Sequence, residues 1–259
     1  MVDGGWRIDQ SRPNASLGDY RQMDKCIFSF RWLMVAALLV VAVGVEASMP
    51  KEWPFFRQTV NGVEIRVNFL AYDVIHVMKY PEGVLPDRKE AMVTFSQEDV
   101  WVHSHRTDTV IDMGVISLGC QLDLRTGHLL FYTDSGRPLL VETGQPTLEL
   151  HESGANAGKY SISQSWALEE NEALFKNNVS TSVPYFTSEK GYGVLWDNRG
   201  ATHMENTSSE VSFSSEAGKC IDYYLVYNHG SMDGLLSSMH RVLRGVKPKV
   251  HKKKIKVSR

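Results

Sequence analysis

The chain has 259 residues, of which 42% are hydrophobic and 22% charged, and its formal net charge is −2. This length and composition suit one large or two small globular domains and exclude a low-complexity or wholly disordered chain. The near-neutral balance gives the molecule as a whole no electrostatic case for nucleic acid or an anionic membrane surface.

The first element along the chain is a leader. Trp32 to Val45 is an unbroken apolar run, preceded by Lys25 and Arg31 and followed by Val45-Glu46-Ala47 before Ser48. Such a run is shorter than the roughly 20 residues a helical bilayer span needs. A basic flank, a short apolar core and a small-x-small site predict a secretory signal peptide, hence export to a periplasmic or extracellular location. The alternative reading of residues 32–45 is an uncleaved membrane anchor. Met23-Asp24-Lys25 makes a more conventional beginning than Met1, so the first 22 residues read as an over-extended start. Residues 1–47 are therefore assigned to an N-terminal extension plus signal peptide, with no stable membrane insertion after cleavage.

Residues 48–230 read as β throughout. Asn61-Gly62 between apolar runs is the strongest short-range hairpin signal. Val63 to Phe69 then alternates strictly, as a half-buried strand does. Val74 to Tyr80 follows, then Leu118 to Leu124, the turn Arg125-Thr126-Gly127, and Leu129 to Tyr132. Asp134-Ser135-Gly136 turns the chain into Leu139 to Val141, and Thr147 to His151 and Tyr160 to Leu168 read as separate later strands. Val183, Tyr185 and Thr187 alternate, Glu189-Lys190-Gly191 supplies a turn, and Tyr192, Val194 and Trp196 alternate again. Val211 to Phe213 and Ile221 to Tyr227 complete the series. Short strands with no helix between them predict a mainly β fold, an antiparallel two-sheet sandwich, and exclude a βαβ arrangement.

Residues 231–245 form the one helix candidate. Leu235, Leu236, Met239, Val242 and Leu243 recur at helical spacing, with Ser231 as N-cap and Gly245 as stop. Residues 246–259 read as a basic disordered tail: the last sixteen residues, from Arg244, carry eight Lys or Arg and no acid. The tail lacks interleaved aromatics, so no nucleic-acid partner is assigned. Of the three cysteines, Cys26 lies in the leader, and Cys120 and Cys220 read as small buried residues or as a pair in an exported protein. No Cys/His spacing suggests a metal, and nothing implies a cofactor.

The segment Ser188-Glu189-Lys190-Gly191-Tyr192-Gly193-Val194-Leu195-Trp196-Asp197-Asn198 resembles the N-terminal β-sandwich of glycoside hydrolase family 31, in its α-xylosidase and α-glucosidase-like group. The likeness runs from about Trp53 to Arg244. Leu122 to Tyr132 is similar to a strand-turn-strand unit of that domain, and Glu172-Ala173-Leu174-Phe175 to its Asp/Glu-Glu-Ala-Leu-Tyr strand. Tyr223 to Tyr227 and Met232 to Arg244 are similar to its last strand and the helix that leads into the catalytic barrel. The resemblance implies a galactose-mutarotase-like supersandwich, and in the intact family hydrolysis of O-glycosyl bonds in carbohydrate metabolism.

Two departures shape what can be carried over. The family continues after Ala-Leu-Tyr with a sugar-contacting loop, whereas Phe175 runs directly into Lys176-Asn177-Asn178-Val179-Ser180. The family's catalytic aspartates also belong to a (β/α)8 barrel of about 250 residues, and no such stretch follows Arg259. Trp196-Asp197-Asn198 lacks the spacing of the barrel's Trp-x-Asp motif. No catalytic residue is therefore assigned, and the chain is expected to be the non-catalytic N-terminal domain, truncated before the barrel and inactive alone.

Trp196, Asp197 and Asn198 are the substrate-binding candidates, because an aromatic beside two polar side chains can stack on a sugar and bond its hydroxyls. The plainer reading is a core Trp followed by a strand-ending turn. His103 and His105 share one face of a strand, with no evident third metal ligand. The superfamily's mutarotases use a His and a Glu, which His203 and Glu205 could imitate although nothing specific marks them. Asn178-Val179-Ser180 and Asn206-Thr207-Ser208 match the short glycosylation pattern. The partners implied are an α-glycoside and a separately encoded catalytic barrel; the alternatives are a stand-alone carbohydrate-binding module and an inert gene remnant. A domain lacking its barrel is expected to expose apolar surface, including the Met232 to Leu243 helix.

Overall fold

The computed structural model describes residues 55–84, 93, 95–176, 183–198, 200–228 and 231–244. The leader, the basic tail, the Asn178 acceptor site and most of the run after Phe175 lie outside the described residues. Fifteen strands and one helix make up the described part. The first sheet has the order β1-β2-β3-β15-β12-β11-β10. Its strands are β1 (Phe55–Val60), β2 (Val63–Ala71), β3 (Val74–Pro81), β10 (Leu174–Lys176), β11 (Tyr185–Ser188), β12 (Tyr192–Trp196) and β15 (Ile221–Tyr227). The second has the order β13-β14-β9-β8-β7-β6-β5-β4. It is built from β4 (His103–Arg106), β5 (Val110–Gly114), β6 (Leu118–Asp123), β7 (Leu129–Thr133), β8 (Pro138–Leu150), β9 (Tyr160–Ala167), β13 (Thr202–Asn206) and β14 (Glu210–Gly218). Every pairing among the described residues is antiparallel. The two-sheet sandwich anticipated above is the fold observed.

Local chemistry explains the turns. Asn61 and Gly62 adopt φ of 51° and 76°, closing β1 on β2 with Val60 opposite Val63. Gly191, at φ 83°, turns β11 into β12. The core lies between the sheets. Alternate residues of most strands enter it, among them Ile65, Val67 and Phe69 from β2, Tyr223 and Leu225 from β15, and Phe131 and Trp166 from the facing sheet.

Three details differ from the sequence reading. Leu139–Val141 and Thr147–Leu150 belong to one thirteen-residue strand, β8, which ends one residue before His151. The Gly144-Gln145-Pro146 stretch that suggests a break is absorbed by a register shift against β9 between Thr143 and Thr147. Strands β5 and β13 have too little periodicity to stand out, and pairing with neighbours decides them. Strands β3, β12 and β15 are buried on both faces rather than one.

Part of that double burial comes from the helix, α1 (Met232–Leu243). Ser231 caps it by accepting from the Gly234 N–H. Leu235, Met239 and Val242 pack on Leu195, Tyr224 and Val226 on the outer side of the first sheet. Gly193 makes room for Met239, whose Sδ would lie 3.1 Å from a Cβ at that position. The expected exposure of the helix's apolar stripe is therefore corrected: the sheet covers it, and Leu236 is the helix residue among the exposed large hydrophobics. Cys120 sits in the main core and Cys220 beside Met78 and Tyr80 on the outer side, both as buried thiols. No helix of the described residues is long and apolar enough to cross a membrane.

Candidate functional site

Trp196 ends β12, and the alternation of that strand turns its indole into the sandwich. The ring stacks on Phe213 with centroids 5.6 Å apart and meets Trp166 edge-on at 6.4 Å. Its Nε1 donates to Ser215 Oγ at 3.0 Å. Asp197 and Asn198 follow at the strand end and are also buried. The Asp197 carboxylate accepts the Val93 N–H at 3.1 Å, and Asn198 Oδ1 accepts the Gly200 N–H at 2.8 Å. The three residues thus stand together, with the indole embedded in core aromatics and both polar side chains bonded to nearby backbone.

The histidine candidates lie on edge strands. His203 Nε2 is 3.6 Å from Glu205 Oε1, with both side chains more than 70% exposed (72% and 73%) on β13. A proton-transfer pair in open water gains little from its neighbour, so this geometry carries no acid–base site. His103 and His105 occupy one face of β4, and no cluster of three metal-ligating side chains occurs among the described residues.

The larger chemical feature is a set of buried charges that the sequence reading did not single out. Lys79 enters the core from β3 and Glu142 from β8, and both side chains are 0% exposed. Lys79 Nζ donates to Glu142 Oε2 at 2.6 Å, Gln164 Oε1 at 3.1 Å and the Gly127 carbonyl at 3.2 Å. Glu142 also accepts from the Tyr223 hydroxyl at 2.7 Å and the Leu129 N–H at 2.7 Å. Burial, reinforced by Glu142, pushes the Tyr223 phenol far above its ordinary range. A signal was present: Lys79 shares the inward parity of Ile75 and Val77, where a charge is out of place unless a partner waits across the core.

Other buried acids are held in the same manner. Glu64 accepts from Arg57, Arg66 and Tyr80. Burial pushes its carboxyl up, but the Tyr80 and Arg57 hydrogen bonds outweigh that and hold it below the usual range. Asp222 pairs with His76 at 2.6 Å, and the imidazole stacks on Tyr224. Glu172 accepts from Ser188 at 2.5 Å and Tyr192 at 2.6 Å and lies 3.0 Å from Lys190 Nζ. Burial raises the Glu172 carboxyl, and those three partners together bring it below the usual range. Retaining glycoside hydrolysis needs two carboxyls about 5–5.5 Å apart, one of them available as nucleophile. These acids are instead engaged by cations, phenols, hydroxyls or backbone amides.

No protein-family model matches the chain. An α-xylosidase of Saccharolobus solfataricus is 23% identical over 218 residues, which is 73% of this chain and 29% of that relative's length. Among solved structures, a GH31 α-xylosidase from Xanthomonas citri aligns over 73% of this chain and 39% of its own, with TM-score 0.60 and 13% identity. A xylosidase from Aspergillus niger aligns over 72% and 32%, with TM-score 0.59 and 16% identity. A GH31 α-xylosidase from a soil metagenome, complexed with xylose, gives 0.56 over 67% and 31%, at 15% identity. At such identities the structural likeness establishes the fold. The resemblance to the family 31 N-terminal domain read from the sequence agrees with both comparisons.

Proposed function

We propose that this chain is the N-terminal sandwich domain of a family 31 glycoside hydrolase, serving carbohydrate binding or support of a catalytic barrel, and that its own residues do not cleave glycosides. The observation that carries the second half is the engagement of the buried acids: Lys79 on Glu142, His76 on Asp222, Lys190 on Glu172, and Arg57 with Arg66 on Glu64. A nucleophilic carboxylate and a partner acid across a scissile bond have no counterpart among them. The first half is supported by the likeness to α-xylosidases in both comparisons.

In this reading residues 48–230 form the working domain and α1 the exit toward a barrel supplied elsewhere. Trp196, with its ring in the core, and the buried Asp197 and Asn198 fix the strand end that would face a sugar or the neighbouring domain. Residues 1–47 direct export. The test is incubation of the purified chain with chromogenic α-xylosides and α-glucosides. No turnover is expected, and appreciable turnover abolished by replacing a carboxyl of this chain overturns the reading.

A further inference from the structure

The solvent face of the second sheet carries an arrangement unconnected with Trp196. The register sets His103, Gly114, Gly119 and Tyr132 side by side across β4, β5, β6 and β7. Their chain neighbours Met113, Cys120 and Phe131 enter the core, so this row faces outward. With no Cβ at the two middle positions, the flanking rings lie across them. A Cβ at Gly119 would run into the Tyr132 ring, and one at Gly114 would come within 2.9 Å of His103 Cε1. The Tyr132 hydroxyl thereby reaches over β6 and donates to Asp112 Oδ1 on β5 at 2.5 Å. Gln121 stands opposite Asp112 in the adjoining row.

Trp101 extends the row of rings. Its centroid is 6.1 Å from that of His103, and the residue is 74% exposed. Ile116, in the turn between β5 and β6, is also open to water, 79% exposed. An indole left this open keeps most of a side-chain area of about 150–250 Å² in water, and it contributes little to folding.

We propose that this outward row is a binding platform for a neutral polysaccharide with flat pyranose faces, in which Trp101 and His103 stack on sugar rings while Asp112 and Gln121 bond hydroxyls. The C–H face of a pyranose removes aromatic surface from water without requiring charge. An anionic ligand would meet the Asp112 carboxylate in the middle of the platform. A protein partner would have to satisfy that carboxylate and the Gln121 amide from a folded surface or leave them desolvated at a cost. Sugar hydroxyls donate and accept alike. Rings laid along a sheet row also fit an extended chain better than a coiled one.

The platform rests on the carbohydrate-binding half of the proposed function and specifies where and what it binds. Native electrophoresis of the full chain through gels containing soluble xylan, with dextran gels in parallel, tests it. Wild type is expected to be retarded by xylan and less by dextran. W101A is expected to lose at least about tenfold in affinity, the size of one stacking contact, with an unchanged melting temperature. G119V, which must lift the Tyr132 ring, supplies a second lesion. Equal retardation of W101A and wild type removes this site but leaves carbohydrate binding standing. Absence of retardation, or preference for dextran, overturns the platform. Glycoside turnover by the chain would sink the non-catalytic reading alone.

Discussion

Replacing Lys79 by Met is the sharpest test of how the sandwich is held. The substitution conserves volume approximately but removes the cation from a site where both charged side chains are 0% exposed. Glu142 keeps the Tyr223 hydroxyl and the Leu129 N–H as donors, yet its charge loses its counter-ion, and Gln164 and the Gly127 carbonyl each lose a donor. Breaking a buried pair on one side costs about 3–5 kcal/mol. For a domain of this size that corresponds to a fall in melting temperature of roughly 6–20 °C, at about 2–4 °C per kcal/mol. The double variant K79M/E142Q no longer buries a lone carboxylate and is expected to recover at least about 2 kcal/mol of the loss. Urea unfolding followed by tryptophan fluorescence measures wild type, K79M, E142Q and the double variant. A K79M loss below about 1 kcal/mol, or a double variant as poor as the sum of the single ones, would refute the pairing argument.

Three further outcomes are expected. W196A should cost about 3–5 kcal/mol in urea unfolding, because it empties a site walled by Phe213 and Trp166, while W101A should stay within about 0.5 kcal/mol of wild type. G119V should destabilise by about 1–3 kcal/mol through crowding. Ultraviolet titration should then show the Tyr132 phenol falling toward its ordinary range, since burial first and the Asp112 bond second now hold it up. The depressed carboxyls of Glu64 and Glu172 bind fewer protons folded than unfolded. Their contribution is therefore present above the ordinary carboxylate value of 4.5 and lost as pH falls through the folded values. Thermal scans should show the melting temperature dropping below that pH, and E172Q should flatten the drop.

The sandwich class, the Asn61-Gly62 hairpin, the β11–β12 turn at Gly191 and the span of α1 were legible in the order of residues alone. Each depends on interactions within a few positions: a left-handed turn pair, a period of two, a Ser cap, a stripe at helical spacing. Family likeness was legible too, because the Lys190 to Asn198 wording combines turn and strand chemistry in one short segment. Long-range placement was decided by tertiary structure. Whether the Trp196 indole faces sugar or core depends on which side of β12 the second sheet covers, and alternation gives both sides equal standing until α1 claims the other. The meeting of Lys79 with Glu142, 63 residues apart, and of Tyr132 with Asp112 across an intervening glycine strand depends on register between strands. Register is set by packing the whole core at once, so no local pattern in the chain contains it.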